Sequence, residues 1–423
     1  MRIDRLQYAI AQHRGVAFLC LSILTSSLGM GAISPILPLF IDQEYHVSRT
    51  QVGLAVGLFG IGRIFTSLPA GYLSQRYGRR FVLIAGTAIN LLGASMVAFS
   101  FSYAWLVVSR IISGLGSTMF TTGVSVYLSD VSTPETRARF LSLHELSILI
   151  GASIGPLAGG VLAAQFGLRI PLFLQAALFL ASLAIIVVYV PESTPPGTSR
   201  YRGTTEAGTG RPRSNRGGPI LPGAYRRLLL SSGFIFVGLL SLMIVANRQG
   251  GRMTIMPLYG EAKGFGPAQL GIFISVTHIP QFFSTLAAGF LSDRFGRKFT
   301  ILPAAALICL GILVFVLGDT FLELMISGVL LGLGEGLAGP PLVAFFADIA
   351  PPGMEGITMG LFRTFGGVGS LVGAVLLGGI ADLLGFAWSL GINALLLAAS
   401  AVAVVLIVRE TAGRRAGQSR LAS

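Results

Sequence analysis

The chain has 423 residues, of which 53% are hydrophobic and only 11% are charged. This composition excludes an ordinary soluble domain, whose surface needs a larger share of charged side chains. The formal net charge of +13 would suit nucleic-acid binding. The basic residues gather, however, in loops on one side of a predicted membrane domain, so we predict no nucleic-acid partner.

Long apolar segments follow one another along the chain. Because about 20 apolar residues are needed to cross a bilayer, they predict an all-α polytopic membrane protein with twelve transmembrane helices. Six helices form an N-terminal bundle (1–190), and six form a pseudo-symmetric C-terminal bundle (228–423) with a short cytoplasmic tail. Residues 191–227 are rich in Pro, Gly, Ser, Thr and Arg and predict a flexible cytoplasmic linker. The predicted helices cover residues 15–40, 51–72, 81–100, 104–129, 141–163, 169–190, 228–259, 267–290, 299–317, 322–347, 357–381 and 385–408.

The loop charges predict the orientation. With an inner N-terminus, only three of the 30 Lys and Arg residues fall in outer loops, namely Arg49, Arg169 and Lys263. The positive-inside rule then predicts a multi-pass protein of the cell (inner) membrane with both termini cytoplasmic. The sequence shows no nucleophile paired with a base, no phosphate loop and no metal cluster. We therefore predict no enzyme activity, no cofactor and no metal.

The first two predicted helices contain two unusual features. The first helix has no acid, and its SPILP segment is predicted to bend the outer end, either as a packing kink or as part of a gate. The second helix carries Arg63 near mid-depth. An arginine there costs about 2.5 to 3.5 kcal/mol unless it faces protein or water, so Arg63 is predicted to face a cavity or a partner.

A short basic segment after the second helix occurs twice. GYLSQRYGRR (71–80) returns 218 residues later as GFLSDRFGRK (289–298), and each copy predicts a cytoplasmic turn between two helices. The chain is therefore a duplication, and a site between its halves is expected. The same offset aligns Gly114 with Gly332, Gly116 with Gly334, Asp130 with Asp348, Gly151 with Gly369 and Gly155 with Gly373.

Both copies resemble the signature loop of the major facilitator superfamily, although the first carries Gln75 where that family usually has aspartate. The resemblance covers essentially the whole chain and implies two six-helix bundles around a cavity that opens alternately to each side. The macrodipole of a helix favours negative charge at its N-terminus, so Asp293 could cap a helix of the other half. The loop residues assigned to gating are Gly71, Arg76, Gly78, Arg79, Gly289, Asp293, Arg294, Gly296 and Arg297.

The fourth predicted helix reads RIISGLG and ends at Asp130. Arg110 with Gly114 and Gly116 resembles an element of proton-coupled members of the superfamily, in which the arginine assists proton movement. A purely structural arginine is the alternative. The resemblance also implies a cytoplasmic latch between Arg79 and Asp130, whereas a solvated surface pair would contribute only about 0 to 1 kcal/mol.

The fifth predicted helix contains GASIGPLAGG (151–160). Glycines at four-residue spacing, such as Gly151 and Gly155, favour close helix contact, and Pro156 removes a backbone hydrogen bond so that the helix can bend. The pattern closely resembles the antiporter motif of drug and proton exchangers in this superfamily. It therefore implies export, with a gating role for these three residues.

The seventh predicted helix is interrupted by NRQGGR (247–252), which predicts a locally broken helix lining the cavity. Arg248 and Arg252, four residues apart, should share one face. They could bind an anionic or strongly polar substrate group, or hold an outer gate to a carboxylate. The predicted substrate-binding residues are Arg63, Asn247, Arg248, Arg252 and Gln281.

Glu335 lies in the middle of the tenth predicted helix and is the first candidate proton carrier, because burial favours the neutral carboxyl group. A glutamate permanently paired with an arginine is the alternative, and Arg110 and His278 are the other proton-coupling candidates. The offset also pairs Glu145 with Arg363. Residues related by a pseudo-two-fold axis meet if both face it, so we predict an inner-gate salt bridge between them.

Taken together, these features favour proton-coupled efflux of a small organic molecule, such as a drug, by alternating access. The predicted partners are a small-molecule substrate, protons and the lipid bilayer, and the predicted functional unit is a monomer. Two alternatives stay open. One is an importer or exchanger of an anionic metabolite, favoured by the deep arginines and the lack of an acid in the first helix. The other is a receptor on the same fold that binds its ligand without transport.

Overall fold

The computed structural model describes residues 2–133, 136–193, 224–351, 354–408 and 410. Within these ranges the protein consists of helices and contains no strand, as the predicted all-α class requires. The helices are α1 (Arg2–Ile33), α2 (Ile36–Tyr45), α3 (Arg49–Tyr77), α4 (Arg79–Ala98), α5 (Tyr103–Val131), α6 (Arg137–Phe166), α7 (Ile170–Tyr189), α8 (Ala224–Leu229), α9 (Ser232–Ala246), a π-helical segment (Asn247–Ile255), α10 (Met256–Ala262), α11 (Pro267–Phe295), α12 (Arg297–Leu317), α13 (Phe321–Ile349), α14 (Glu355–Leu384) and α15 (Phe386–Ile407).

Eleven of these helical stretches are long and apolar enough to cross a membrane. The expected second crossing, α3, has 29 residues but is not among the eleven. The predicted count of twelve crossings therefore stays a prediction. So do the domain boundaries, because most of the predicted linker (191–227) lies outside the described residues.

The predicted bend in the first helix is a full interruption. Helix α1 ends at Ile33 and α2 begins at Ile36. Pro38 lies inside α2, while the Ser34 hydroxyl turns back and donates to the carbonyl oxygen of Gly31 at 2.8 Å. The backbone amide of Ser34 donates to the same carbonyl at 3.0 Å, so a tight turn ends the helix.

The predicted break in the seventh helix is wrong. The chain stays helical from Ser232 to Ala262 and widens into the π-helical segment between α9 and α10, where the amide of Met256 donates to the carbonyl of Gly251, five residues earlier. In a bilayer the backbone groups need internal partners, and the wider turn keeps them bonded where a break would not. Single π turns of this kind occur frequently at functional sites.

Glycines related by the repeat make equivalent contacts in the two halves. Gly151 and Gly155 of α6 pack against α1, where a Cβ on Gly155 would lie 2.6 Å from the carbonyl oxygen of Leu28. Their counterparts on α14 pack against α9 in the same way, and a Cβ on Gly369 would lie 2.7 Å from the carbonyl oxygen of Leu242. The predicted close helix contact of Gly151 and Gly155 is therefore present. Pro156 lies inside α6 without ending it.

Helices α1–α7 pack mainly on one another, as do α9–α15 with the π-helical segment. The two groups meet mainly along α3 with α14 and along α6 with α11. We call the end that carries both basic segments (71–80 and 289–298) the basic end, and the opposite end the far end. The contacts between the two groups lie toward the far end, where a Cβ on Gly57 would be 3.0 Å from Cα of Leu371 and one on Gly160 would be 2.5 Å from the carbonyl oxygen of Pro267.

Candidate functional site

A cavity of about 380 Å³ lies between the two groups of helices. Its volume falls within the roughly 300 to 1,000 Å³ typical of sites for small organic molecules. Residues of α1, α2, α3, α4, α5, α6, α7, the π-helical segment and α11 line it, so both halves contribute, as expected for a duplicated chain. Most of the lining is apolar and includes Met30, Phe59, Phe120, Phe179 and Met253.

The polar part of the lining is basic. Arg110, His144, Arg248 and His278 reach the cavity, and none of the described lining residues is an aspartate or a glutamate. Arg248 and His278 come from the second half, so the halves share the basic groups. His278 lies within electrostatic range of Arg248 and Arg252.

Arg110 is almost completely buried, with 4% of its surface exposed. Its guanidinium carbon lies 4.9 Å from the centre of the Phe59 ring, and its Nε has no hydrogen-bond partner among the described residues. Glycines let the neighbouring helices approach this region, since a Cβ on Gly116 would lie 2.6 Å from the amide of Asn90. A cation–π contact stabilises a cation by only about 0.5 to 2 kcal/mol, far less than the cost of burying an unpaired charge.

Arg252 points away from the cavity and pairs with Glu335. Its Nη2 lies 3.1 Å from Oε2 of Glu335, and the two side chains are only 1% and 2% exposed. Its Nη1 also donates to the hydroxyl of Thr277 at 3.0 Å. The structure therefore contains the arginine–glutamate pair that was the alternative for Glu335, and neither residue lines the cavity.

The predicted substrate-binding residues are thus only partly brought together. Arg248 lines the cavity, whereas Asn247 is fully buried and binds the side chain of Asn393 at 2.8 Å. Gln281 and Arg252 lie outside the lining. Arg252 is held by Glu335 and Thr277 whereas Arg248 lines the cavity, so the two arginines do not bind a substrate group together in this conformation.

Arg63 is exposed and lies outside the described cavity lining, so its predicted orientation toward a cavity or a partner stays a prediction. Its side chain stands within electrostatic range of Arg248 and Arg363. Arg363 is exposed as well. Three cations are therefore grouped beside the cavity on the side of the basic end.

The basic end contains ion pairs within each half. The predicted pair is present, with Nε of Arg79 2.6 Å from Oδ2 of Asp130. In the second half, Arg297 binds Asp293 at 2.5 Å and Asp348 at 3.5 Å. Asp293 thus pairs with its own loop in this conformation and does not cap a helix of the other half.

The glycines of the two basic segments behave differently. Gly78 and Gly296 adopt φ values of 96° and 102°, which favour glycine, and so they make the predicted turns. A Cβ on Gly71 or Gly289 would meet nothing within 4 Å, so neither glycine makes a close helix contact in this conformation. Two other arginines of the basic segments contact aromatic side chains. Arg76 donates to the hydroxyl of Tyr72 at 3.2 Å, and the guanidinium carbon of Arg294 lies 5.3 Å from the ring centre of Phe295.

Two glutamates of the basic end were missed in the sequence. Glu192 accepts from the amides of Arg79 at 2.9 Å and Arg80 at 3.2 Å, at the N-terminus of α4. Glu410 does the same for α12, with 3.0 Å to the amides of Arg297 and Lys298. The 218-residue offset relates these two glutamates and could have revealed them.

The predicted salt bridge between Glu145 and Arg363 is not formed in this conformation. Glu145 lies 3.3 Å from Nδ1 of His144 and its side chain is 68% exposed. Among the described residues, the ion pairs of the basic end stay within one half. No ion pair among the described residues therefore joins the two halves at the basic end.

Polar contacts close the far end by joining the two halves. Asp382, at the end of α14, accepts from the amides of Arg49 and Thr50 at 2.9 Å each and from the Thr50 hydroxyl at 2.6 Å. Gln43 likewise binds Glu261 across the two halves. Asp382 therefore caps the N-terminus of α3, where the helix macrodipole favours a carboxylate.

Comparison with known proteins identifies relatives of the whole chain. The family model of the Major Facilitator Superfamily matches residues 19–276 and 240–422. An uncharacterized MFS-type transporter of Methanocaldococcus jannaschii is 26% identical over 377 residues, covering 89% of this chain and 93% of that protein. Multidrug resistance protein 2 of Bacillus subtilis is 26% identical over 380 residues, covering 89% and 91%. The crystal structure of the nucleoside transporter NupG, 15% identical, has the same fold, with a TM-score of 0.76 and coverage of 92% and 98%.

Proposed function

Because the chain belongs to the major facilitator superfamily, we propose that it exports a small organic molecule in exchange for protons. It is a transporter and not an enzyme, as are its relatives. The observation that carries the proposal is the cavity between the halves, which polar contacts join at the far end and no described ion pair joins at the basic end. Alternating access requires two conformations, and we infer that this one is open at the basic end.

In the proposed topology α3 is a crossing like the other long helices, which gives twelve. The basic end is cytoplasmic, since the basic loops should remain on the inner side of the cell membrane. The cavity is then open to the cytoplasm, where an exporter collects its substrate.

The second state requires the far-end contacts to open and the basic end to close. Asp382 must then release the N-terminus of α3. At the basic end, Glu145 would exchange His144 for Arg363. Both residues are exposed in the present state and related by the repeat, which supports their meeting in the closed gate.

Helix α6 contains GASIGPLAGG (151–160), whose resemblance to the antiporter motif supports export. Its glycines pack on α1, while the carbonyl of Pro156 lies against Gly271 of α11 in the other half. Helix α6 therefore contacts both α1 of its own half and α11 of the other half. The related multidrug resistance protein of Bacillus subtilis supports the same direction.

We assign proton coupling to Glu335 and its ion pair with Arg252. Protonation of this buried carboxylate would leave the Arg252 charge without its counter-charge, so proton binding and helix packing are coupled. The pair is inaccessible in the state described, with the side chains 1% and 2% exposed. Proton exchange at Glu335 then occurs during the conformational change.

The test is substrate-induced proton movement in proteoliposomes that contain a pH-sensitive dye, with anionic, neutral and cationic aromatic compounds. We expect a transported compound to drive protons in the opposite direction, and Glu335→Gln to lose this response. Glu323→Gln is the control, because Glu323 lies on the same helix α13 but is half-buried at the far end, and glutamine preserves its capping box. Proton movement in the same direction as the compound, or a full response in Glu335→Gln, would contradict the proposal.

The basic lining favours a second candidate, an importer or exchanger of an anionic metabolite. Uptake driven by an inward gradient of the compound, without proton movement in the opposite direction, would favour this candidate.

A further inference from the structure

We propose that the substrate of this cavity is an organic anion with an apolar body, and that Arg248 and Arg110 bind its charged group. The inference rests on the proposed function only in taking this cavity as the transport site. It adds the charge and chemical class of the molecule, which the transporter family alone does not define.

The first argument is the balance of charge. Two arginines reach the cavity, and its described lining holds no carboxylate to neutralise them. Glu335 cannot serve, because Arg252 already occupies it at 3.1 Å and the pair lies outside the lining. Glu145 cannot serve in this state either, since it binds His144 at 3.3 Å. An anion would supply the missing counter-charge, whereas a cation would meet like charges.

The second argument is the burial of Arg110. Its 4% exposure removes it from bulk solvent, and its contact in the described structure is the face of Phe59. Charged side chains buried to this degree are almost always paired. An arginine that lines a cavity without a protein anion is therefore suited to a carboxylate, sulfonate or phosphate group of a ligand.

The third argument concerns the rest of the ligand. The walls around the two arginines are formed by apolar and aromatic side chains such as Met30, Phe120 and Met253. A small hydrated anion would leave these surfaces in contact with water. An aromatic or aliphatic body would cover them and gain the hydrophobic contribution.

The exposed side chains beside the cavity are positively charged as well. Arg63 and Arg363 are exposed beside Arg248 on the side of the basic end. Charges of one sign at an opening raise the local concentration of oppositely charged ligands. Entry and binding therefore select for the same class of molecule.

The experiment measures equilibrium binding by calorimetry on the full-length protein in a neutral detergent. The probes are 2-naphthoate, 2-naphthamide and 2-naphthylmethylammonium, which share one ring system and differ in the charge of the head group. We expect the carboxylate to bind at least ten times more tightly than either of the others. Arg248→Ala should weaken the binding of 2-naphthoate at least tenfold and change the binding of 2-naphthamide less than twofold.

Two further variants separate charge from folding. Arg248→Lys keeps the positive charge and should retain most of the preference for the carboxylate. Arg226→Ala removes an exposed arginine of α8 outside the cavity lining and should leave all three affinities unchanged. A thermal melt of each variant shows whether it is folded.

The proposal is overturned if the ammonium compound binds as tightly as the carboxylate, if 2-naphthoate does not bind, or if Arg248→Ala weakens all three probes equally. Binding at equilibrium needs no proton exchange. A carboxylate preference without proton-coupled flux would therefore support this inference and refute the proposed function. Proton-coupled export of the ammonium compound would support the proposed function and refute this inference.

Discussion

Arg110 and Arg252 are both buried arginines in the middle of the molecule, but their surroundings differ. Arg252 has Glu335 at 3.1 Å and Thr277 at 3.0 Å, and it lies outside the cavity lining. Arg110 lines the cavity and has the ring of Phe59 as its described contact. The comparison teaches that depth alone does not assign a role to a charged residue in a membrane. An arginine with a protein counter-charge already has its partner, and one without it is available to a ligand.

The largest effect on stability is expected from removing the counter-charge of Arg252. Glu335→Ala leaves a cation buried without an anion, and breaking such a pair costs about 3 to 5 kcal/mol of unfolding free energy. Thermal and chemical unfolding in detergent would measure this loss. The double variant Arg252→Met with Glu335→Leu should be closer to the wild type, because apolar replacement of a whole pair is often neutral. Wild-type stability of Glu335→Ala alone would contradict the structural role of the pair.

The opposite pattern is expected for Arg110. Arg110→Met removes a buried charge that has no protein partner, so the unfolding free energy should stay the same or rise. Transport and binding of an anionic probe should fall at least tenfold, which corresponds to about 1.4 kcal/mol. Parallel flux and unfolding measurements check both parts. If Arg110→Met unfolds as readily as Glu335→Ala, Arg110 is structural and the contrast between the two arginines disappears.

The smallest effect is expected at the basic end, where an ion pair is partly exposed to solvent. The side chains of Arg79 and Asp130 are 13% and 25% exposed, and they lie 2.6 Å apart. Asp130→Asn should lower the unfolding free energy by about 0 to 1 kcal/mol, since solvent screens such pairs. The same unfolding assay measures it, and added salt should reduce the difference further. A loss of unfolding free energy as large as that of Glu335→Ala would show that solvent exposure does not account for the expected difference between the two ion pairs.

The sequence predicted those features that depend on repetition or local spacing. The offset of the two basic segments located the duplication, and the glycines of GASIGPLAGG were correctly expected to pack closely on another helix. The pair of Arg79 with Asp130 was also expected, because the family resemblance joined two distant loops. In the first two cases the information lay in a pattern of the chain itself.

Features that depend on contacts with residues distant in the chain could not be predicted from the sequence. Four-residue spacing placed Arg248 and Arg252 on one face, but the sequence could not show that Thr277 and Glu335 come from two other helices to hold Arg252. The π-helical segment was mistaken for a break, because glycines and arginines in an apolar segment look alike in both cases. Asp382 gave no local signal either, since its partners Arg49 and Thr50 are more than 300 residues away in the chain.

The lack of a carboxylate in the described cavity lining also bears on how transport is powered. An anion that leaves a cell with a negative interior moves charge in the favourable direction, and so does a proton that enters. Each elementary charge contributes about 2.3 kcal/mol per 100 mV of membrane potential. Exchange of one monovalent anion for one proton would therefore draw about 4.6 kcal/mol per 100 mV from the membrane potential. An exporter that worked in this way would be driven by the membrane potential and would continue to work in a cell whose interior and exterior have the same pH.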